Sequence, residues 1–290
     1  MVVGSRASLI GEAKLKKSGR SSFVAALRVV TCLGSLFLVA LLALGACAPQ
    51  LNAGEWQCPS DGGTSTPAVS TDPVAIPWST GFEHRFCDYT ELAGSCYGDS
   101  AYTIVNEPHH GGSFSAQFAA IGENSDQPMT RCIRQGQLPE SAYYGAWYYI
   151  PEPLTSAGVW NLFHFDRGDA SSGRKLWDVT LVQGSQAGTW ELLVYDPVVT
   201  GGATYRSPDH ITVPFRTWFH IVLFLKRAAD GTGAISLYQD DMLLAQATNL
   251  KSDASKFTQW FVGNYATKAT PPDSVLFVDD VSISATPPPQ

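Results

Sequence analysis

Short runs of β-branched and aromatic residues, broken by turn residues about every ten positions, recur along most of the chain and limit its possible folds. Eleven segments have this character: 101–105, 113–121, 144–150, 158–166, 176–183, 189–196, 218–226, 233–240, 242–248, 258–265 and 274–284. Such residues favour strands. The segment 218–226 is apolar at nearly every position, which indicates a strand buried on both faces. The sequence therefore predicts an all-β fold, a β-sandwich of two antiparallel sheets.

The first 46 residues have the organisation of a secretory signal peptide. Residues 1–28 are basic and polar, and residues 29–44 form an uncharged apolar run. This run is shorter than the roughly 20 apolar residues that a membrane-spanning helix needs. The residues from Leu44 to Cys47 (LGAC) resemble the bacterial lipobox, which implies that Cys47 carries a diacylglycerol. A plain signal peptide and an uncleaved anchor helix are the alternatives.

A change of composition follows Cys47. Residues 47–75 are rich in Ser, Thr, Pro, Gly and Asp, which predicts a flexible tether. The β-sandwich domain is expected over 76–284, and the tail 285–290 is expected to be disordered. The sequence thus predicts a cell-envelope lipoprotein, anchored by its lipid in the outer or plasma membrane, whose domain faces the periplasm or the exterior.

Four cysteines remain after the signal peptide and the lipidated position: Cys58, Cys87, Cys96 and Cys132. An even number in an oxidising compartment indicates disulfides, and four cysteines allow three pairings. The short loop favours Cys87 with Cys96, which leaves Cys58 with Cys132. Metal binding is the weaker alternative, because there is no C-x-x-C spacing.

The charge of the exported part argues against nucleic acid as a partner. Six basic residues and one acidic residue precede Cys47, so 13 basic and 25 acidic residues remain, a net charge of about −12. An acidic domain without a basic cluster repels both nucleic acid and anionic polysaccharides at long range. This argues strongly against nucleic-acid functions and less strongly against alginate- or heparin-like ligands, which a local basic pocket could still bind.

Three phrases resemble the concanavalin A-like lectin/glucanase superfamily: YYGAWYYIPEP at 143–153, the long segment 217–241 that begins TWFHIVLFLK, and VLFVDDVSIS at 275–284. The resemblance covers about 200 residues and extends to laminin-G-like and polysaccharide-lyase-like domains. It implies a jelly-roll sandwich and an extracellular or cell-wall polysaccharide as partner. Because the fold hosts lectins, glucanases and lyases, the resemblance does not name the chemistry.

A glucanase of this superfamily carries two acids on one face of one strand, so that both reach the same glycosidic bond. Asp166 and Asp169 stand three residues apart as the strand ends, and Glu191 and Asp196 alternate to opposite faces. No strand supplies the pair, which disfavours a glucanase.

A lyase of this fold typically has an amide two residues before a histidine on one strand. In the segment 160–168 the histidine is His164, but Leu162 stands where the amide is expected, and alternation turns Asn161 to the other face. Arg167 and Tyr195 are the candidate partners of His164 for catalysis. A partly buried structural histidine is the alternative.

Aromatic residues in the middle strands are candidates for stacking on sugar rings. Trp147, Tyr149, Trp160 and Trp177 form this ligand-binding set, with Arg174 on the loop that would rim it. Packing of these rings in the core is the alternative for each of them.

A structural calcium ion is implied by the resemblance, because secreted jelly rolls with phrases like GFE and VDDV often bind one between the first and last strands. Glu83, Asp279 and Asp280 occupy those positions. Solvated edge carboxylates are the alternative, and no other cofactor is expected.

These observations favour a lectin-like binding domain, with a polysaccharide lyase or glycoside hydrolase as the alternative and a purely structural envelope protein as a third. The sequence leaves open whether the chain is an enzyme, although it leans towards binding.

Overall fold

A computed structural model of the chain describes residues 73–288 except 91–94, 99, 123–127, 153–154, 157, 168–174, 198–201, 252–257 and 271–272. All the described residues belong to a compact unit that spans residues 48–290. Within them, no helix has the length and apolarity needed to cross a membrane. The predicted signal peptide, Cys47 and most of the tether lie outside the described residues and stay predictions.

Strands dominate the described residues. The elements are β1 (Trp78–Thr80), α1 (Cys87–Thr90), β2 (Ser95–Gly98), β3 (Tyr102–Val105), β4 (Ser115–Ile121), β5 (Met129–Gly136), β6 (Ser141–Tyr149), β7 (Thr155–Ser156), β8 (Trp160–Arg167), β9 (Lys175–Gln183), β10 (Trp190–Asp196), β11 (Ala203–Arg206), β12 (Trp218–Lys226), β13 (Gly233–Gln239), β14 (Met242–Leu250), β15 (Thr258–Ala266), β16 (Ala269–Thr270) and β17 (Asp273–Ser284). Each of the eleven predicted segments overlaps one of these strands.

Two antiparallel sheets pack face to face. One has the order β14-β13-β12-β6-β17-β4-β3 with β1 paired to β17, and the other has the order β11-β10-β9-β8-β15-β5-β2. Neighbouring strands are often far apart in sequence, as when β17 pairs with both β4 and β6. The predicted two-sheet sandwich is confirmed.

The core lies between the sheets and is rich in aromatic rings. Trp160, Trp177 and Trp260 of the seven-stranded sheet are at most 1% exposed, and the Trp260 ring lies 5.0 Å from that of Tyr144 in the other sheet. The Tyr148 hydroxyl donates to the carbonyl oxygen of Leu162 at 2.8 Å. The inner faces of both sheets are therefore closed to ligands.

A disulfide joins Cys96 of β2 to Cys132 of β5, with an S–S distance of 2.03 Å. The predicted pairs, Cys87 with Cys96 and Cys58 with Cys132, are wrong, because Cys96 and Cys132 are directly opposite each other in the sheet. Cys87 lies in α1 and is itself disulfide-bonded, to a partner outside the described residues.

The last described residues pack on the outer face of the eight-stranded sheet. Pro288 lies against Gly145 of β6, close enough that a Cβ there would be 3.1 Å from its ring. Residues 285–288 thus have a described position, whereas 289–290 lie outside the described residues.

Candidate functional site

A cleft of about 280 Å³ opens on the outer face of the seven-stranded sheet, and we call it the His164 cleft. Three adjacent strands, β5, β15 and β8, provide its floor. The side chains that line it and could bind a ligand or take part in a reaction are Arg131, Asn161, His164, Asp166, Phe261 and Tyr265. Because each of these strands has a neighbour on both sides in the sheet, hydrogen bonds on both sides hold their positions.

His164 is fixed in the cleft by a buried carboxylate. It lies on β8 directly opposite Asp178 of β9, and its Nδ1 makes a short hydrogen-bond contact with Asp178 Oδ1. Asp178 is 2% exposed. The other ring nitrogen, Nε2, lies 3.9 Å from Asp166 Oδ2, which also lines the cleft. The prediction of His164 as a site residue is thus compatible with its position, and its carboxylate neighbour was not foreseen.

A β-bulge brings Asn161 to the same face as His164. Phe163 pairs with Val179 and Asn161 pairs with Thr180, so Leu162 is an extra residue on β8 relative to β9. Alternation is interrupted there, and the expectation that Asn161 points away from the histidine is wrong. The amide expected near the histidine is present, three residues before it instead of two.

Among the described residues, Asn161 is the one side chain with two buried polar atoms that lack a hydrogen-bond partner. The side chain is 3% exposed, and among the described residues neither Oδ1 nor Nδ2 has a hydrogen-bond partner. A buried polar group without a partner costs about 1–3 kcal/mol. Native proteins keep few such groups, and a catalytic role is one of the reasons for which they are kept.

Arg131 of β5 supplies a positive charge at the other side of the floor. Its guanidinium carbon lies 4.3 Å from the centre of the Phe261 ring and 5.0 Å from that of Tyr97. Its Nη2 donates to the Tyr97 hydroxyl at 2.8 Å, while Nε finds no partner among the described residues. The guanidinium is therefore oriented, with donor capacity left over.

Tyr265 of β15 is the tyrosine of the cleft, and the sequence analysis did not select it. It pairs with Asn161 on one side and with Met129 on the other. Burial and the charge of Asp178 raise the pKa of its hydroxyl above the ordinary value of 10.0, while Arg131 lowers it. The phenol is thus held in its protonated, proton-donating form. The signal that could have found it is its place on the strand beside His164, which only sheet order reveals.

The catalytic partners predicted from sequence lie elsewhere. Tyr195 is on β10, opposite Asp178 and so two strands from His164, and it does not line the cleft. It lies instead beside Gly202, where a Cβ would come within 2.8 Å of its hydroxyl. The Arg167 side chain and all of Arg174 lie outside the described residues.

The predicted aromatic ligand set does not form one surface. Trp160 and Trp177 are 0% exposed and belong to the core, because alternation turns them inward. Their selection as ligand-binding residues is wrong.

Trp147 and Tyr149 lie on the outer face of the other sheet. Trp147 is stacked between His110 at 3.7 Å and His220 at 4.8 Å, so both faces of its ring are covered. Tyr149 lies 5.6 Å from Trp218 and 5.9 Å from Phe277, with the rings inclined to one another. Neither ring shares a surface with the His164 cleft.

The three predicted calcium ligands, Glu83, Asp279 and Asp280, make hydrogen-bond contacts with the loop 110–114. Glu83 Oε1 accepts from the amides of Ser113 and Phe114 at 2.7 and 3.1 Å. Asp279 Oδ2 accepts from the amides of His110 and Gly111 at 2.8 and 3.1 Å.

Two of these carboxylates, those of Asp279 and Asp280, are affected by burial or by a neighbouring histidine. Asp280 Oδ2 lies 2.7 Å from His110 Nδ1, and burial raises the pKa of the Asp279 carboxyl to about 6. In the described part of the chain, no three His, Cys, Asp or Glu side chains are grouped to hold a metal ion. A calcium ion at this cluster therefore stays a prediction.

The fold is similar to those of solved polysaccharide lyases. An endo-β-1,4-glucuronan lyase from the fungus Trichoderma reesei is 17% identical, with a TM-score of 0.54 over 66% of this chain and 90% of the lyase. An alginate lyase from Aplysia kurodai is 13% identical, with a TM-score of 0.50 over 72% and 98%. An alginate lyase from a Chlorella virus is 9% identical, with a TM-score of 0.50 over 69% and 95%.

No protein-family model matches the chain, and no curated protein matches it by sequence. At these identities the structural likeness shows the fold: the domain is a concanavalin A-like jelly-roll sandwich, as the resemblance predicted.

Proposed function

We propose that the His164 cleft is the active site of a polysaccharide lyase, which cleaves a uronate-containing polysaccharide by β-elimination. The observation that carries the proposal is the unpartnered Asn161 amide, buried in the same cleft as Arg131, His164 and Tyr265. The unpartnered amide is the reason that we propose a lyase, with the binding domain favoured by the sequence as the alternative. A stacking platform for neutral sugar, on which the binding interpretation depended, does not form from the predicted aromatic set.

The first requirement of β-elimination is neutralisation of the uronate carboxylate, which makes the proton on C5 more acidic. A carboxylate accepts hydrogen bonds from amide and guanidinium N–H groups, and such charge-assisted bonds are about twice as strong as neutral ones. Asn161 Nδ2 and Arg131 Nε both have donor capacity with no partner among the described residues. Arg131 also offsets the repulsion between an acidic domain and an anionic polymer.

The second requirement is a base for the C5 proton and an acid for the leaving oxygen. His164 Nε2 takes the proton from C5, the C4–O4 bond breaks, and the electron pair of the C5–H bond becomes the C4=C5 double bond. The Tyr265 hydroxyl gives its proton to O4 of the departing chain. Proton transfer through solvent from the imidazolium to the phenolate then restores both groups.

The test uses the chain from Ala48 onward with polyglucuronate, alginate, polygalacturonate and a neutral glucan as substrates. New ultraviolet absorbance from the conjugated C4=C5 bond is expected with a uronate polymer and is not expected with the glucan. His164→Ala and Tyr265→Phe should abolish it, whereas Trp147→Ala, on the other sheet, should leave it unchanged. Retardation of the protein by these polymers in an affinity gel, without any absorbance change, would instead favour a lectin-like domain.

We also propose that this domain is displayed on the cell envelope by a lipid on Cys47, which the lipobox-like residues 44–47 support. Incorporation of labelled palmitate by the wild type and its loss in Cys47→Ser is the expected result. Equal labelling of both would contradict the proposal.

A further inference from the structure

Asp178 is a buried carboxylate that lies beside the cleft, on β9, and outside its lining. It occupies the strand between His164 and Tyr195 and is directly opposite both in register. It is 2% exposed, and its Oδ1 contacts His164 Nδ1. Its position gives it influence over His164 without access to a substrate.

The contact determines which nitrogen of His164 carries the proton. An ionised carboxylate can only accept hydrogen bonds, so Nδ1 must be the N–H donor in the neutral ring. The lone pair then lies on Nε2, on the side of Asp166 and the cleft. After Nε2 has gained a proton, Asp178 neutralises the imidazolium, as the carboxylate of a catalytic triad does.

The same charge acts on Tyr265. Burial is the larger cause of its raised pKa and Asp178 is the second, while Arg131 opposes both. The negative charge of Asp178 therefore makes His164 the better proton acceptor, and it keeps Tyr265 in the protonated form that a general acid requires.

We propose that Asp178 is the positioning residue that assigns the base role to His164 Nε2, so that Tyr265 is left as the acid. It acts through the tautomer of His164 and through its charge. The proposal rests on the proposed lyase function for its catalytic consequence, but the tautomer of His164 is a property of the free protein.

The test compares Asp178→Asn with the wild type in the full chain, solubilised in detergent. Labelling of the histidines with ¹⁵N, with His164→Gln to assign the signal, should show His164 protonated at Nδ1 and unprotonated at Nε2. In Asp178→Asn this tautomer should no longer dominate. Against the uronate polymer that is cleaved, kcat should fall by about 10²–10⁴-fold while KM stays within about 2-fold.

Glu191→Gln is the matched control, because Glu191 is another buried carboxylate that contacts a histidine, His210, at 3.1 Å on the same sheet. It lies outside the cleft lining, so kcat should be unchanged. Asp178→Glu should restore part of the lost kcat.

The outcomes separate the two proposals. A wild-type His164 protonated at Nε2 would overturn the role of Asp178, and so would an unchanged kcat in Asp178→Asn. If no polymer is cleaved but the tautomer depends on Asp178 as expected, the lyase function fails and the control of His164 by Asp178 is upheld.

Discussion

Replacement of Asn161 by Leu should stabilise the free protein while removing its activity. Asn161 is 3% exposed with both amide atoms unpartnered among the described residues, and each such group costs about 1–3 kcal/mol. Leu has a similar volume and no polar atoms to leave unpaired. We therefore expect the free energy of unfolding to rise by about 1–3 kcal/mol, or roughly 2–4 °C in midpoint for each kcal/mol in a domain of this size.

Asn264 provides a control of the same residue type on the adjacent strand. It is 0% exposed, but its Oδ1 accepts from Trp160 Nε1 at 3.1 Å and its Nδ2 donates to the Phe118 carbonyl at 3.2 Å. Asn264→Leu should therefore lower the free energy of unfolding by about 2–4 kcal/mol, because it leaves a buried indole N–H unpaired.

Urea unfolding followed by tryptophan fluorescence measures both variants. Opposite signs are expected, together with a loss of at least tenfold in kcat/KM for Asn161→Leu, from a charge-assisted bond worth about 1.5–3 kcal/mol. If Asn161→Leu destabilises the protein as much as Asn264→Leu does, the amide is satisfied in solution and the reasoning fails.

Three further predictions concern other parts of the sandwich. Replacement of both Cys96 and Cys132 by Ser should lower the free energy of unfolding in urea by about 3–4 kcal/mol, because the bond closes a loop with a sequence separation of 36; an unchanged midpoint would show that the bond does not constrain the unfolded chain. Trp160→Ala should cost about 3–5 kcal/mol by the same measurement, since it empties a fully buried site, and a loss below about 1 kcal/mol would contradict its place in the core. On the alkaline side, activity should be kept until pH rises above 10, because Tyr265 must keep its proton to act as an acid and its pKa is raised from 10.0. Asp178→Asn should move that alkaline limb to lower pH in rate profiles, and a limb that stays in place would argue against Tyr265 as the acid.

Local patterns were sufficient to predict the strands but not the sheet order. All eleven predicted segments became strands, because β-branched and aromatic alternation is a property of neighbouring residues. Strand β5 was missed because it contains Arg131 and Arg134, which interrupt the apolar pattern. Arg134 is nevertheless 1% exposed, with its guanidinium carbon 4.5 Å from the centre of the Trp78 ring.

The candidate site was predicted only at His164. The position of Asn161 depends on the bulge at Leu162. A bulge is a difference in residue number between two paired strands, so the sequence of one strand alone does not reveal it. Asp178 contacts His164, and Tyr265 lines the same cleft, because β9 and β15 flank β8, an order that no spacing in the sequence encodes. The disulfide was mispaired for the same reason, since Cys96 lies opposite Cys132 across the sheet.

The Cys96–Cys132 disulfide also affects when Arg131 becomes fixed at the floor of the His164 cleft. Strand β2 is a four-residue edge strand, and it places Tyr97 opposite Arg131 immediately beside the Cys96–Cys132 pair. So short an edge makes few backbone hydrogen bonds and readily frays. With reduced thiols, we expect the sandwich to persist while Tyr97 leaves the guanidinium, so that Arg131 is no longer held at the cleft floor. Oxidation of these two thiols would then act as a maturation step, and polymer cleavage would become efficient only once the chain had left a reducing compartment.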